Sequence, residues 1–233
     1  MTTLICLPSS GSSSTLYSDW KPLLAEKNIS LLCPEYPGRG QRFTDPLISG
    51  IPELVDDLMQ QIQVMLPPDE SYHIFGHSLG GVVAYELTLK IQQTTGFPAP
   101  QSVIISASHA PHLRGETILK SHLEEPELIA LLQKMGGLKK EVLQHPELME
   151  LLLPIIRADL ALNDHYHRHD IAPLSCPITT IHGLSDPIVK PENISAWERY
   201  TADYRHLDWP GDHFYFQQNL KDFLNRLSHM LAA

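Results

Sequence analysis

Short apolar runs rich in β-branched residues alternate along this chain with longer stretches whose apolar positions recur at helical spacing. Leu4 to Leu7 is too short for a helix, is stopped by Pro8 and reads as a strand. A loop of serines and one glycine follows, and Ser14 or Thr15 is placed to cap a helix carrying Leu16, Trp20, Leu23 and Leu24. Ile29 to Cys33 reads as a second strand ended by Pro34. From Ile51 the positions Leu54, Val55, Leu58, Ile62, Met65 and Leu66 keep helical period, with Pro52 suited to the first turn. Tyr72 to Phe75 is a third strand, and an apolar helix follows it directly. Val103-Ile104-Ile105, Ile178 to Ile181 and Tyr204 to Leu207 supply three more strands, and the chain closes on an amphipathic helix from about Gln217 to Leu231.

Parallel neighbours need crossover connections, so this repetition predicts an α/β fold with a mostly parallel sheet covered by helices on both faces. Ligands of such a fold sit at the carboxyl ends of the strands. The alternation breaks between residues 111 and 172. There Glu125 to Met135, Lys140 to Gln144 and Pro146 to Leu162 read as helices, with Gly136-Gly137 ending the first. The leucines and isoleucines of the last are too many for one narrow stripe, so apolar cover is expected on more than one side. A helical lid inserted into a single domain spanning residues 1–233, and lining an acyl channel, is the expectation.

The chain has 233 residues, 42% hydrophobic and 19% charged, enough for one sizeable core. Twenty-seven acidic against 17 basic residues give a net charge of −10 and no basic run to neutralise phosphates, which argues against nucleic-acid binding. No segment reaches the roughly 18 apolar residues of a membrane span, and the opening MTTLICLPSSG lacks the regions of a secretory leader. A cytoplasmic protein is expected. Cys6, Cys33 and Cys176 are scattered and fit reduced thiols better than disulfides or a zinc site.

Candidate chemistry gathers just past strand ends. Gly76-His77-Ser78-Leu79-Gly80 interrupts a strand and opens a helix, the context in which a nucleophile elbow holds a serine hydroxyl out of the sheet. The pentapeptide alone would arise by chance in about one chain in ten of this length, so the strand-to-helix context carries the argument. The Ser9 to Ser14 loop ends the neighbouring strand and is suited to aim a backbone N–H at a developing oxyanion. Asp186, in a tight turn after a late strand, and His213, on a Gly-containing loop after the last, complete the order nucleophile, acid, base of α/β-hydrolases. The end of the strand before, Ser106 to His109, has no carboxylate. Asp212 neighbours His213 in sequence, but adjacent side chains usually point apart, so it is not assigned as the orienting acid. His165, His167 and His169, at alternate positions, could face a metal; after a long helix they read better as a polar terminus, and no metal site is expected.

Taken together, several blocks resemble type II thioesterases, the free-standing editing enzymes of nonribosomal peptide and polyketide synthases. They are Leu4 to Gly11 with Trp20, Pro-Gly-Arg-Gly-x-Arg at 37–42, Gly-His-Ser-Leu-Gly-Gly at 76–81 and Ser-x-x-x-Ala-Pro at 106–111. Further on come Met135-Gly136-Gly137, Pro146-Glu147-Leu148, Leu153-Pro154 with Arg157-Ala158-Asp159, Gly183 with Asp186-Pro187, and Gly211 with His213-Phe214. Where the family usually has Ala-Gly-Gly this chain has Ser10-Gly11-Ser12, and Asp164 stands where a glutamate is usual.

The resemblance implies an α/β-hydrolase fold and a serine hydrolase that clears stalled acyl groups from the phosphopantetheine arm of acyl or peptidyl carrier domains. Ser78 would be nucleophile, His213 base and Asp186 its orienting acid, with the backbone N–H groups of Leu79 and Ser10 as oxyanion hole. No bound cofactor is implied, and a monomer is expected. Arg39, Arg42, Arg114 and Arg157 are candidates either to meet the arm's phosphate or to serve a structural role. The same triad would serve a medium-chain fatty acyl thioesterase or a carboxylester hydrolase, and a non-catalytic binding module would keep the fold without the chemistry.

Overall fold

The computed structural model describes residues 2–114, 120–138 and 142–232. Its centre is a six-stranded, all-parallel sheet of β1 (Thr2–Leu7), β2 (Ile29–Leu32), β3 (Ser71–His77), β4 (Ser102–Ser106), β5 (Ile178–Gly183) and β6 (Tyr204–Trp209), in the order β2-β1-β3-β4-β5-β6. The chain reverses its direction of growth after β2, so β1 and β3 lie side by side and the loops after them meet. Helices α1 (Trp20–Ala25), α2 (Ile51–Met65), α3 (Leu79–Gln93), α6 (Pro191–Ser195) and α7 (Leu220–Leu231) surround the sheet, and α4 (Glu125–Lys134) and α5 (Pro146–His165) fill the 111–172 interval.

Alternation along the strands splits the core into two layers. Ile5, Leu7, Ile74, Val103, Ile105 and Ile178 face α2 and α3, while Leu4, Cys6, Phe75, Ile104 and Ile181 face α1 and α7. In the second layer the rings of Trp20, Phe75, Phe216 and Phe223 pack edge to face or tilted, at centroid separations of 5.1 to 6.5 Å. Both faces of β1 and β3 are therefore buried, which explains apolar runs rather than alternation in their sequences. A third cluster, with Leu128, Leu132, Met149, Ile156 and Leu160, holds α4 against α5.

Four expectations are corrected. The first helix is broken into a 3-10 turn, Ser14–Tyr17, capped by Ser13 rather than Ser14 or Thr15, and α1. Pro22 has no N–H to bond back to Ser18 and is admitted only near a helix start, so the α-helix begins anew at Trp20. The final helix likewise starts at Leu220, after a 3-10 turn at Tyr215–Gln217. In the 111–172 interval, Leu148 and Leu151 are exposed, so α5 is covered on fewer sides near its start than its leucine content suggests. Of the helix expected at Lys140 to Gln144, residues 139–141 lie outside the described residues and Val142–Gln144 is a 3-10 turn. All three cysteines are free thiols.

Candidate active site

β3 ends at His77 and α3 begins at Leu79, leaving Ser78 alone at the corner with φ 56° and ψ −110°. A left-handed serine is strained, and such strain persists where the surroundings over-determine it. Here they do: the Ser78 N–H donates to the Ser106 carbonyl at 2.8 Å, and Gly81 N–H to the Ser78 carbonyl at 3.1 Å. The turn is too tight for side chains at its flanks. A Cβ on Gly76 would collide with the Gly80 carbonyl, and one on Gly80 with the carbonyl of Leu7 at the end of β1.

Asp186 follows β5, and its carboxylate is completely buried. One oxygen, Oδ1, accepts the N–H groups of Ile188 at 2.7 Å and Val189 at 3.2 Å. The other, Oδ2, meets His213 Nδ1 at 2.8 Å. Burial pushes Asp186 up, but the His213 contact and the two amides outweigh it and hold the carboxyl below its ordinary value. The loops that bring the two residues together pass closely. Ser185 N–H donates to the Gly211 carbonyl at 2.8 Å, and a Cβ on Gly183 would strike the Asp212 carbonyl. Asp212 itself turns to its own backbone, accepting from Phe214 N–H at 3.0 Å.

His213 Nε2 is buried with no hydrogen-bond partner among the described residues. It belongs to the lining of a cavity of about 680 Å³ that also includes Ser78, the loop Ser9 to Ser12 and Leu132 of α4 and Leu152, Ile156 and Leu160 of α5. The structure thus brings Ser78, Asp186, His213 and Ser10 together, with Leu79 in the first turn of α3. The Leu79 N–H lies at a helix start, where backbone donors lack intrahelical acceptors and favour negative charge.

Behind the elbow runs a buried polar chain that sequence reasoning did not find. Ser106 Oγ lies 2.8 Å from His77 Nδ1 and 2.7 Å from the Tyr215 hydroxyl, and the rings of His77 and His213 are 5.0 Å apart. Burial, with His213 close by, holds His77 well below the usual histidine range, so it is neutral. Nothing in the local sequence around Ser106 signals this contact, because it joins β3, β4 and the loop before α7.

The arginines divide. Arg39 is buried in an ion pair with Asp159 of α5, and Arg42 grips Asp57 at 2.6 and 2.8 Å and Asp45 at 2.7 Å. Both therefore bind carboxylates of the chain, which is the structural alternative to meeting an arm phosphate. Arg157 donates to the carbonyls of Ser121 and Leu123. Arg114 binds Asn163, Ser108 and the His109 carbonyl, and it lines the cavity. Asp164 accepts from Ser121 N–H at 2.7 Å, a contact within the 111–172 interval. Among the described residues, the metal-type side chains that converge are His182, His206 and Asp208, on β5 and β6, not His165, His167 and His169.

The family model for the thioesterase domain matches residues 2–231. The chain belongs to the thioesterase family. It is similar to the solved structure of ClbQ from the colibactin nonribosomal peptide and polyketide pathway, at 32% identity and TM-score 0.90, covering 99% of this chain and 97% of that one. The type II thioesterase YbtT of the yersiniabactin pathway is 31% identical, with TM-score 0.86 and coverage of 98% and 92%. Among curated relatives, the thioesterase PikA5 of Streptomyces venezuelae is 28% identical over 232 residues, 99% of this chain and 81% of that one. The chain is thus an α/β-hydrolase-fold thioesterase, as its motif blocks implied. No helix among the described residues is long and apolar enough to cross a membrane.

Proposed function

We propose that this thioesterase hydrolyses acyl thioesters on the phosphopantetheine arm of carrier domains, clearing stalled or aberrant acyl groups from a nonribosomal peptide or polyketide synthase. It acts as a cytoplasmic monomer on a carrier partner. The observation that carries the mechanism is the Asp186 Oδ2 to His213 Nδ1 bond, with His213 Nε2 left unpaired in the lining that holds Ser78. A hydroxyl is a weak nucleophile at neutral pH and needs a base within reach. Ser78 Oγ attacks the acyl carbon while His213 Nε2 takes its proton, and Asp186 holds the imidazole tautomer and offsets the imidazolium charge.

The tetrahedral oxyanion lies against the N–H groups of Leu79 and Ser10, each such donor worth about 3 kcal/mol of barrier. As the carbon–sulfur bond breaks, the thiolate leaves with the proton from His213. Water then attacks the acyl-Ser78 ester with His213 again as base, releasing free acid and restoring the serine. A thiol is a good leaving group, so these steps ask for no metal or bound cofactor. The relatives named for synthase pathways support carriers as the source of the thioester, and the apolar lid wall of the cavity suits an acyl chain.

The test is incubation with holo-carrier domains loaded with different acyl groups, following intact carrier mass, with Ser78→Ala as control. Loss of acyl mass with the parent protein and none with the variant is expected. Retention of every acyl group, or faster hydrolysis of small oxyesters than of any loaded carrier, would refute the carrier reading.

A further inference from the structure

The lid helix touches the loop that carries Ser10. Ile156, Asp159 and Asn163 of α5 stand at i, i+3 and i+7, one face of a helix, and all three meet that loop. Ile156 fills the space beside Gly11, so closely that a Cβ there would come within 2.5 Å of its Cγ1. Asp159 Oδ2 accepts the Gly11 N–H at 2.7 Å, and Asn163 Nδ2 donates to Ser10 Oγ at 3.0 Å. From the opposite side Arg39 donates to both oxygens of Asp159 and to the Ser12 carbonyl at 3.1 Å. The pair is buried, with 5% of Arg39 and 1% of Asp159 exposed.

Stability alone does not account for such a pair, because a buried ion pair is roughly matched or bettered by apolar residues of similar volume. What an apolar pair cannot do is take the Gly11 N–H. That bond fixes the peptide between Ser10 and Gly11, whose φ of 72° lies in the left-handed region, and the Arg39 bond fixes the carbonyl one residue on. The Ser12 N–H in turn donates to the Ser9 carbonyl at 3.1 Å, and that carbonyl shares its peptide plane with the Ser10 N–H, so the held turn sets the direction of that N–H. We infer that Asp159, oriented by Arg39, is a positioning residue for the oxyanion hole, so that the hole is complete only when the lid helix is seated. This rests on the reading of Ser78 and Ser10 given above. It makes the lid part of the catalytic geometry as well as the wall of the acyl cavity.

The experiment compares Asp159→Asn with the double variant Asp159→Leu, Arg39→Met, which removes both charges together and keeps an apolar filling. Three readouts are taken: labelling of Ser78 by a fluorophosphonate, inhibition by an alkyl boronic acid that forms a tetrahedral adduct on serine, and hydrolysis of an S-acyl-N-acetylcysteamine thioester. Both variants should label and turn over about 10- to 100-fold more slowly, with KM within about twofold of the parent, because the missing donor acts in the transition state. Boronate affinity should fall by the same factor as kcat, and the pH–rate midpoints should stay in place. The double variant should retain the parent's melting temperature within a few degrees while remaining slow. A folded double variant with labelling, boronate affinity and kcat within twofold of the parent would overturn the inference, as would equal losses in KM and boronate affinity. Labelling and boronate binding need no carrier, so a parent protein that labels well but cleaves no loaded carrier would refute the proposed substrate and leave this inference standing.

Discussion

Replacing Asp186 by Asn tests the proton path at one atom. Oδ1 of Asp186 accepts two backbone N–H groups, from Ile188 and Val189, so the asparagine carbonyl must take that position and its NH2 must take the place of Oδ2. That NH2 then faces His213 Nδ1, 2.8 Å away, and the imidazole can meet it only as an acceptor at Nδ1. The ring proton moves to Nε2, and the atom that should receive the Ser78 proton becomes a donor. Shape and burial are unchanged, so folding should be nearly intact. A wrong-tautomer triad loses about 10⁴ in kcat, or about 5 kcal/mol of barrier. The assay is single-turnover release of acid from an acyl-loaded carrier, run beside circular dichroism and thermal melting of the variant. A folded Asp186→Asn protein losing less than tenfold in kcat would show that another group orients His213.

Other outcomes follow from the same geometry. Gly80→Ala should force the elbow away from the Leu7 carbonyl, costing about 3 kcal/mol and lowering the melting temperature of a chain this size by about 6 to 12 °C; an unchanged melt would mean that the turn yields easily. Ile156→Phe and Leu160→Phe, which narrow the cavity, should shift preference toward shorter acyl groups, whereas Leu151→Ala, on the exposed side of α5, should leave the chain-length profile alone. Burial lowers His73 and His109 to about 4 and His77 well below its ordinary value, so all three are neutral when folded and take protons more readily when unfolded. Stability should therefore be full above about pH 6.5 and fall as the pH drops toward 4. Urea midpoints at pH 7 and 5 measure this, and a midpoint that holds steady or rises on acidification would contradict it. Asp186 adds a contribution of the opposite acid–base type, present above its unfolded value near 4 and lost only as the pH falls further.

The inner strands were legible because they are buried on both faces, and Leu4 to Leu7 or Val103 to Ile105 can be little else. The grouping of Ser78, Asp186 and His213 was legible because each follows a strand end, and strand ends of a parallel sheet converge on one edge. Less could be read where a local pattern is overridden from outside. The helical spacing from Leu16 to Leu24 concealed a break set by Pro22, and the leucines of α5 did not reveal which side would be covered, since that depends on where α4 packs.

Arg39 shows the boundary best. From sequence Arg39 was a candidate for the arm's phosphate, and Asp159, 120 positions later, stood only as part of a block shared with the family. Burial against each other and against the Gly11 N–H gives both a different part, and no local propensity encodes a contact at that separation. Sequence by itself determined the strands, the turn at Ser78 and the placing of Asp186 and His213 after later strands, because hydrophobic period and turn chemistry act over a few residues. Only the tertiary structure decided which charge meets which, and that Ser10 is held from α5, because those contacts form when distant segments are brought together and water is excluded.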